Sequence, residues 1–260
     1  MIQVAVAGAL GRMGQAVIEA VQAEDDLQVV AGIDIQATGA ASVSGGWLLC
    51  NRLDEALERV QPRVLVDFTV AEAAAANALE AVNRGVSPVV GTTGMNAEQL
   101  QALRDASRQR QVGAFVAPNF ALGAVLMMHF ARIAARYFDS AEVIELHHDR
   151  KIDAPSGTAV KTAQDMLAAR GQPFRSNSPT KEPLPGARGG ELGGVRIHSV
   201  RLPGLDSHQE VIFGGQGQTL TLRHDTLGAS AFMPGILIAI RQVLSRNELV
   251  VGLDELLGLT

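Results

Sequence analysis

Five short apolar runs, "IQVAVAG", "LQVVAGID", "RVLVDFT", "SPVVGTT" and "VGAFVAP", recur through the first hundred or so residues, separated by segments of helical pattern such as Ala71 to Arg84 and Ala97 to Arg110. Alternation of this kind leaves little choice of architecture: it predicts βαβ units and a mostly parallel sheet. Parallel strands are covered on both faces and so read as nearly continuous apolar runs, as "VAVA" and "VVAGI" do. The expected fold class for this half is α/β, a Rossmann-like doubly wound parallel sheet.

Beyond Pro118-Asn119 the pattern changes. A long helical stretch, "GAVLMMHFARIAARYF", repeats apolar residues at spacings of three and four. A strand, "AEVIELH", and a helix from about Thr158 to Gly171 follow, then three strand-like runs, "VRIHSVR", "EVIFG" and "TLTLRHD". The clusters between these last runs, "LPGLDSH" and "GGQGQ", suit antiparallel neighbours and are too short for crossover helices. The second half therefore reads as an α+β domain with an open, mostly antiparallel sheet. Residues 171–194 carry so much Pro and Gly that no regular element is expected there, and a loop of that length serves as a lid or as a surface connector. The tail "FMPGILIAIRQVL" returns to a helical pattern and is expected to pack back on the first domain. The expected boundaries are 1–119 with 229–260 for one domain and 120–228 for the other.

Composition narrows the function classes. A chain of 260 residues with 47% hydrophobic and 19% charged residues can bury a sizeable core. A net charge of -5, one Trp and one Tyr argue against nucleic acid, which requires clustered cations or aromatic platforms. The longest apolar stretches, such as "GILIAI", fall far short of the roughly 20 residues that cross a bilayer, so no membrane is expected. Cys50 is the only cysteine, and "MIQVAVAG" lacks the features of a signal peptide, so the cytoplasm is the expected compartment.

The loop "GALGRMG" follows the first strand and opens the first helix, with glycines at Gly8, Gly11 and Gly14. Such a loop lets a pyrophosphate approach the backbone, where helix N–H groups stabilise its charge. Leu10 stands where the usual second glycine would be, so the spacing alone is weak; Asp34, twenty residues beyond Gly14 at the end of the second strand, supplies the carboxylate that accepts from an adenosine ribose. Ile35, Gln36 and Ala37 offer no cation for a 2′-phosphate, which favours NADH, while Arg12 in the glycine loop keeps NADPH open. "GTTG" (Gly91 to Gly94) and "APNF" (Ala117 to Phe120) fall at the carboxyl ends of later strands, where open α/β sheets bind ligands.

The stretch "HHDRKIDAPSGTAV", residues 147 to 160, concentrates the remaining chemistry. Ser156-Gly157-Thr158 precedes a helix, whose unpaired N–H groups together with the Thr158 hydroxyl suit a carboxylate. His147 and His148 fall on opposite faces if the strand continues through them, and Lys151 on the following loop is a charge-assisted donor and proton source. A metal site built from His147, His148, Asp149 and Asp153 is disfavoured, because adjacent strand histidines diverge and Lys151 repels a cation. Cys50 and Trp47 have no assignable role.

"VAVAGALGRMG", "VDFT", "GTTG", "APNF" and above all "EVIELHHDRKIDAPSGTA" resemble the 4-hydroxy-tetrahydrodipicolinate reductase (dihydrodipicolinate reductase) family of lysine and diaminopimelate synthesis. The likeness extends over essentially the whole chain, including "GARGG", "HSVRLPG" and "LTLRHD"; the HHxxKxDAPSGT string is highly specific, the glycine loop is not. The resemblance implies an NAD(P)H-dependent oxidoreductase that removes a hydroxyl from a cyclic imine dicarboxylate as water and adds hydride to the ring. His147 and Lys151 would donate protons, and His148, Gly157 and Thr158 would hold substrate carboxylates. Gly8, Ala9, Leu10, Gly11, Arg12, Met13, Asp34, Gly91, Thr92, Thr93, Ala117, Pro118, Asn119 and Phe120 would line the dinucleotide. It further implies a dinucleotide-binding domain, a substrate-binding and oligomerisation domain, and a homotetramer; nicotinamide on one domain with carboxylate sites on the other suggests closure that excludes water. The alternatives are a dehydrogenase of another small carboxylate and a non-catalytic dinucleotide-binding protein.

Overall fold

The computed structural model describes every residue except Ser44, Ser178 and Thr260. The chain divides into two compact units, Met1–Leu122 with Ala229–Thr260, and Gly123–Gly228.

In the first unit β1 (Ile2–Ala7), α1 (Arg12–Gln22) and β2 (Leu27–Ile33) form the opening βαβ. There follow β3 (Ala41–Ser42), β4 (Leu48–Cys50), α2 (Leu53–Val60), β5 (Val64–Asp67), α3 (Ala71–Asn83), β6 (Ser87–Val90), α4 (Ala97–Arg110) and β7 (Ala114–Val116). The sheet order is β7-β6-β5-β1-β2-β4-β3 with one further strand beyond β7. Every pairing is parallel except β3 with β4. Its central strands read as apolar runs because they are covered on both sides: Val4, Ala5, Val6, Leu65 and Val66 are fully buried. Strand order reverses between β1 and β5, the position at which open α/β sheets bind ligands beyond their carboxyl ends. α4 begins with a capping box, the Asn96 side chain accepting from the Gln99 N–H at 2.8 Å and Gln99 reaching back to Asn96 N.

The second unit begins as α5 (Leu122–Ala134) gives way to β8 (Ser140–His147), α6 (Gly157–Arg170), β9 (Gly190–Leu192), β10 (Val195–Arg201), β11 (Ser207–Gly215) and β12 (Gln218–Thr226). α6 stops at Gly171, which takes the left-handed conformation a helix C-cap favours. A 3-10 turn (Ala229–Phe232), α7 (Met233–Val243), β13 (Leu249–Val251) and α8 (Leu253–Leu256) then return to the first unit, where β13 extends the sheet beside β7 and α7 packs on α1 and β6. The described residues contain no helix long and apolar enough to cross a membrane.

The second sheet has the order β12-β11-β8-β10-β9. Here one expectation is corrected. The runs beginning at Val195 and Glu210 are not antiparallel neighbours: β8 lies between them, parallel to β10 and antiparallel to β11. The connection through Leu202 to Asp206 arches over the end of β8, with the Leu202 N–H donating to His147 O (3.1 Å) and the His148 N–H to Asp206 O (3.4 Å). A five-residue link is too short for a crossover helix, yet long enough to step over one strand end. A second correction concerns residues 171–194, whose last part forms β9 and pairs with β10; Ser178 within that segment lies outside the described residues. The core face of this sheet packs Val143, Ile197, Val211 and Phe213 against Met127, Ala131, Ala163 and Met166 of the two helices.

Candidate active site

At the carboxyl ends of the first sheet, backbone bonding continues one residue past each strand. Gly8 N–H donates to Ile33 O (2.8 Å), Phe68 to Ala7 (3.1 Å), Gly91 to Asp67 (3.0 Å) and Ala117 to Val90 (3.0 Å). The glycine loop, "GTTG" and "APNF" are thereby brought into one row. Gly8 has a φ of +79°, which admits glycine, and a Cβ on Gly14 would sit 2.0 Å from Gly8 O, so α1 meets the loop with no room for a side chain. The N-cap of α1, Gly11, provides no side-chain cap, and the first turn holds no acid, so its N–H groups stay open to an anion. Ala9 is buried, Met13 half-buried, and Leu10 and Arg12 exposed.

Asp34 serves locally as a clamp. Its carboxylate accepts from the Leu10 N–H (3.0 Å) and the Gln36 N–H (3.0 Å), tying the glycine loop to the end of β2. Behind the loops, fully buried Asp67 accepts from the Thr69 N–H (2.9 Å), the Thr69 hydroxyl (2.6 Å) and the Asn77 amide (2.8 Å). Thr92 is half-buried and donates to Thr69 O (3.3 Å); Thr93 is exposed. Asn119 accepts from the Ala121 N–H (2.9 Å), Pro118 is exposed, and buried Phe120 meets Phe115 edge to face at 5.6 Å. These are the features that fit a pyridine dinucleotide: a close-packed glycine turn, an uncapped helix start and a carboxylate at the end of β2.

In the second unit the core face of the sheet changes character row by row. The strand register aligns Val143, Ile197, Val211 and Leu222, an apolar row. The next row toward the end of β8 aligns Glu145, Ser199, Gln209 and His224, and the last aligns His147, Arg201, Ser207 and Thr226. Two polar rows thus close the apolar core, and their groups pair with one another. Glu145, fully buried, takes both Arg201 terminal nitrogens (2.8 and 2.9 Å), His147 Nδ1 (2.5 Å) and the Ser156 N–H (3.3 Å). Burial pushes its carboxyl up, but Arg201, Ser199 and His147 outweigh that and hold it below the usual carboxylate range. For His147 burial prevails: with Lys151 and Arg201 it keeps the imidazole below the ordinary histidine value, against the Glu145 carboxylate.

β8 ends at His147, so strict alternation does not decide where His148 lies. His148 is half-buried, and its Nδ1 is buried without a partner. Lys151 pairs with Asp153 at 2.6 Å, and Arg201 donates to Asp153 O (2.7 Å), fixing the loop from the other side. Ser156 caps α6 by accepting from the Ala159 N–H (3.2 Å). Gly157 borders open space, with nothing within 4 Å of where a Cβ would stand, and Thr158 O accepts from the Thr162 hydroxyl, itself bonded by buried Gln209 (both 2.8 Å). His147, His148, Lys151 and the α6 start therefore share one end of one sheet. Sequence reasoning does not single out Glu145, Arg201 or Ser207; Arg201 and Ser207 reach the site because β8 lies between β10 and β11.

Residues 2–120 match the family described as "Dihydrodipicolinate reductase, N-terminus" and residues 123–257 the one described as "Dihydrodipicolinate reductase, C-terminus". A 4-hydroxy-tetrahydrodipicolinate reductase of Moorella thermoacetica is 52% identical, covering 98% of each chain, and one of Syntrophomonas wolfei is 50% identical, again over 98% of each. Among solved structures, a dipicolinate-bound dihydrodipicolinate reductase from Paenisporosarcina sp. TG-14 superposes with a TM-score of 0.90 at 42% identity, covering 98% of this chain and 99% of the other.

Proposed function

The chain belongs to the dihydrodipicolinate reductase family, and from that premise we propose that it reduces 4-hydroxy-tetrahydrodipicolinate to tetrahydrodipicolinate with NAD(P)H and loss of water, in lysine and diaminopimelate biosynthesis. The observation that carries this reading is the link between the strand that ends in His147 and the start of α6: the Ser156 N–H, just before Gly157 and Thr158, donates to Glu145 of β8 (3.3 Å), with Lys151 on the loop between them.

Loss of water leaves a conjugated ring; addition of one hydride then requires one proton, so the donors must neutralise a developing anion. Bound nicotinamide supplies the hydride. The chain's own groups bind the two carboxylates, through the open N–H groups of α6, the Thr158 hydroxyl and the half-buried His148 imidazole, and deliver the proton from His147 or Lys151. Residues 1–119 and 229–260 form the dinucleotide-binding domain in this reading, with Gly8 to Met13 against the pyrophosphate and Gly91 to Thr93 and Ala117 to Phe120 along the remainder. Residues 120–228 bind substrate and build a cytoplasmic homotetramer. Half-buried Ile144, Val200 and Ile212, on the sheet face opposite the core, support that assembly.

Supplying the imine precursor in situ and following nicotinamide absorbance tests the proposal; oxidation that depends on the precursor is expected. Faster turnover of another dicarboxylate would favour a related dehydrogenase, and tight NADH binding without any oxidation would favour a non-catalytic protein.

For the cofactor we expect initial rates with NADH at least equal to those with NADPH. The Asp34 carboxylate accepts from ribose hydroxyls and repels a 2′-phosphate. Asp34→Ala should move the ratio of kcat/KM values toward NADPH by roughly tenfold, about 1.4 kcal/mol. A strong NADPH preference in the unaltered protein would instead assign the choice to Arg12.

A further inference from the structure

We propose that Glu145 is a positioning residue for His147, holding the imidazole in one tautomer and keeping its Nε2 aimed as the proton-delivering atom. This inference rests on the reductase reading for its kinetic consequence but not for its geometry. Glu145 is acceptor-only when ionised, so the 2.5 Å contact from His147 Nδ1 requires the proton to reside on Nδ1. Nε2 then faces the Ser207 hydroxyl at 3.0 Å, which donates to it in the neutral ring. When the ring is charged, Nε2–H is the bond that breaks, its proton passing to the substrate anion and its electrons remaining on the ring.

Its own strand, the two neighbouring strands and the following loop all contribute groups. On its own strand stands Glu145; β10 contributes Arg201, bound to both carboxylate oxygens; β11 contributes Ser207; the following loop contributes Lys151 and Asp153, paired at 2.6 Å. Of the charges that bear on the ring, Lys151 and Arg201 oppose its protonation, and Glu145 favours it. The same carboxylate accepts from the Ser156 N–H, and its partner Arg201 holds Asp153 O. One buried anion thus aligns the histidine, the loop carrying Lys151 and the start of α6. A carboxylate behind a working histidine, fixing tautomer and orientation, is a recurrent device wherever the other ring nitrogen has chemistry to perform.

The test begins with the unaltered protein labelled with ¹⁵N-histidine and needs no substrate. Above the histidine titration, the His147 signal, assigned by its loss in His147→Gln, should show a protonated Nδ1 and an unprotonated Nε2; a proton on Nε2 overturns the proposal. In Glu145→Gln, which keeps shape and removes charge, kcat should fall between about 10- and 100-fold, KM for the nucleotide should move less than about twofold, and the descending limb of kcat against pH should shift to lower pH. A purely structural role would leave that limb in place, which also overturns the proposal. If Glu145→Gln does not fold, the tautomer in the unaltered protein decides. Absence of turnover by the unaltered protein would sink the reductase reading alone, because the tautomer is read without it.

Discussion

Replacing Lys151 by alanine is expected to lower turnover of the imine precursor by about 10²- to 10⁴-fold, the range that a positioned general acid contributes, while NADH affinity changes little. The ammonium sits on the short loop after β8, half-buried, with Asp153 as its partner at 2.6 Å. The uncapped start of α1 and the Asp34 clamp are built from residues of the first unit alone, Asp34 bonding Leu10 and Gln36, so none of their bonds is made by Lys151. His147→Ala should cause a loss in the same range, and the pH profiles separate the two roles. Burial keeps His147 below the ordinary histidine value, so the imidazolium is lost as pH rises through that lowered value. If His147 delivers the proton, the fall of kcat in this window persists in Lys151→Ala and disappears in His147→Ala. If Lys151 delivers it, His147→Ala keeps the shape of the parent profile in this window. Full turnover in both variants would remove the proposed chemistry from this end of the sheet, and steady-state rates with fluorescence titration of NADH decide the matter.

Much of this arrangement is legible in the sequence because local rules govern it. Apolar runs mark β1, β2, β5, β6 and β7; Gly171 ends α6 as a left-handed cap should, and Ser156-Gly157-Thr158 marks its start. What escapes is short or non-local. β3, β4 and β13 have two or three residues each, and they extend the sheet because neighbouring strands supply partners. α2 has eight residues, and it packs buried Ala56 and Leu57 into the core beside β2 and β4. The greater omission is at the site. Reading β10 and β11 as neighbours leaves Arg201 and Ser207 with no route to His147, whereas inserting β8 between them places both directly opposite it. A buried glutamate in the run "VIELHH" is the available signal: alternation directs Glu145 to the same face as Val143 and Ala141, where an unpaired carboxylate would be costly, so a cation has to arrive from elsewhere in the chain.

That dependence leads to the largest expected change in stability. Arg201→Ala should destabilise the protein near neutral pH by about 3–5 kcal/mol, the usual loss when one partner of a buried pair is removed and the other remains charged. Glu145 is fully buried, and Arg201 provides two of its bonds, at 2.8 and 2.9 Å. Burial raises the Glu145 carboxyl, but in the intact protein Arg201 and its other partners hold it below the ordinary value, so its favourable contribution is present above that value and is lost as pH falls through the lowered one. Without Arg201 the burial effect is far less opposed and the carboxyl moves upward. The folded variant then takes up a proton more readily than the unfolded chain, and acid relieves it while it weakens the parent. The gap between parent and variant in urea midpoint should therefore be widest at pH 7 and narrower near pH 5. An equal gap at both pH values would mean that the stranded Glu145 charge is not what destabilises the variant, and a gap under about 1 kcal/mol would mean that water reaches the carboxylate and substitutes for the guanidinium.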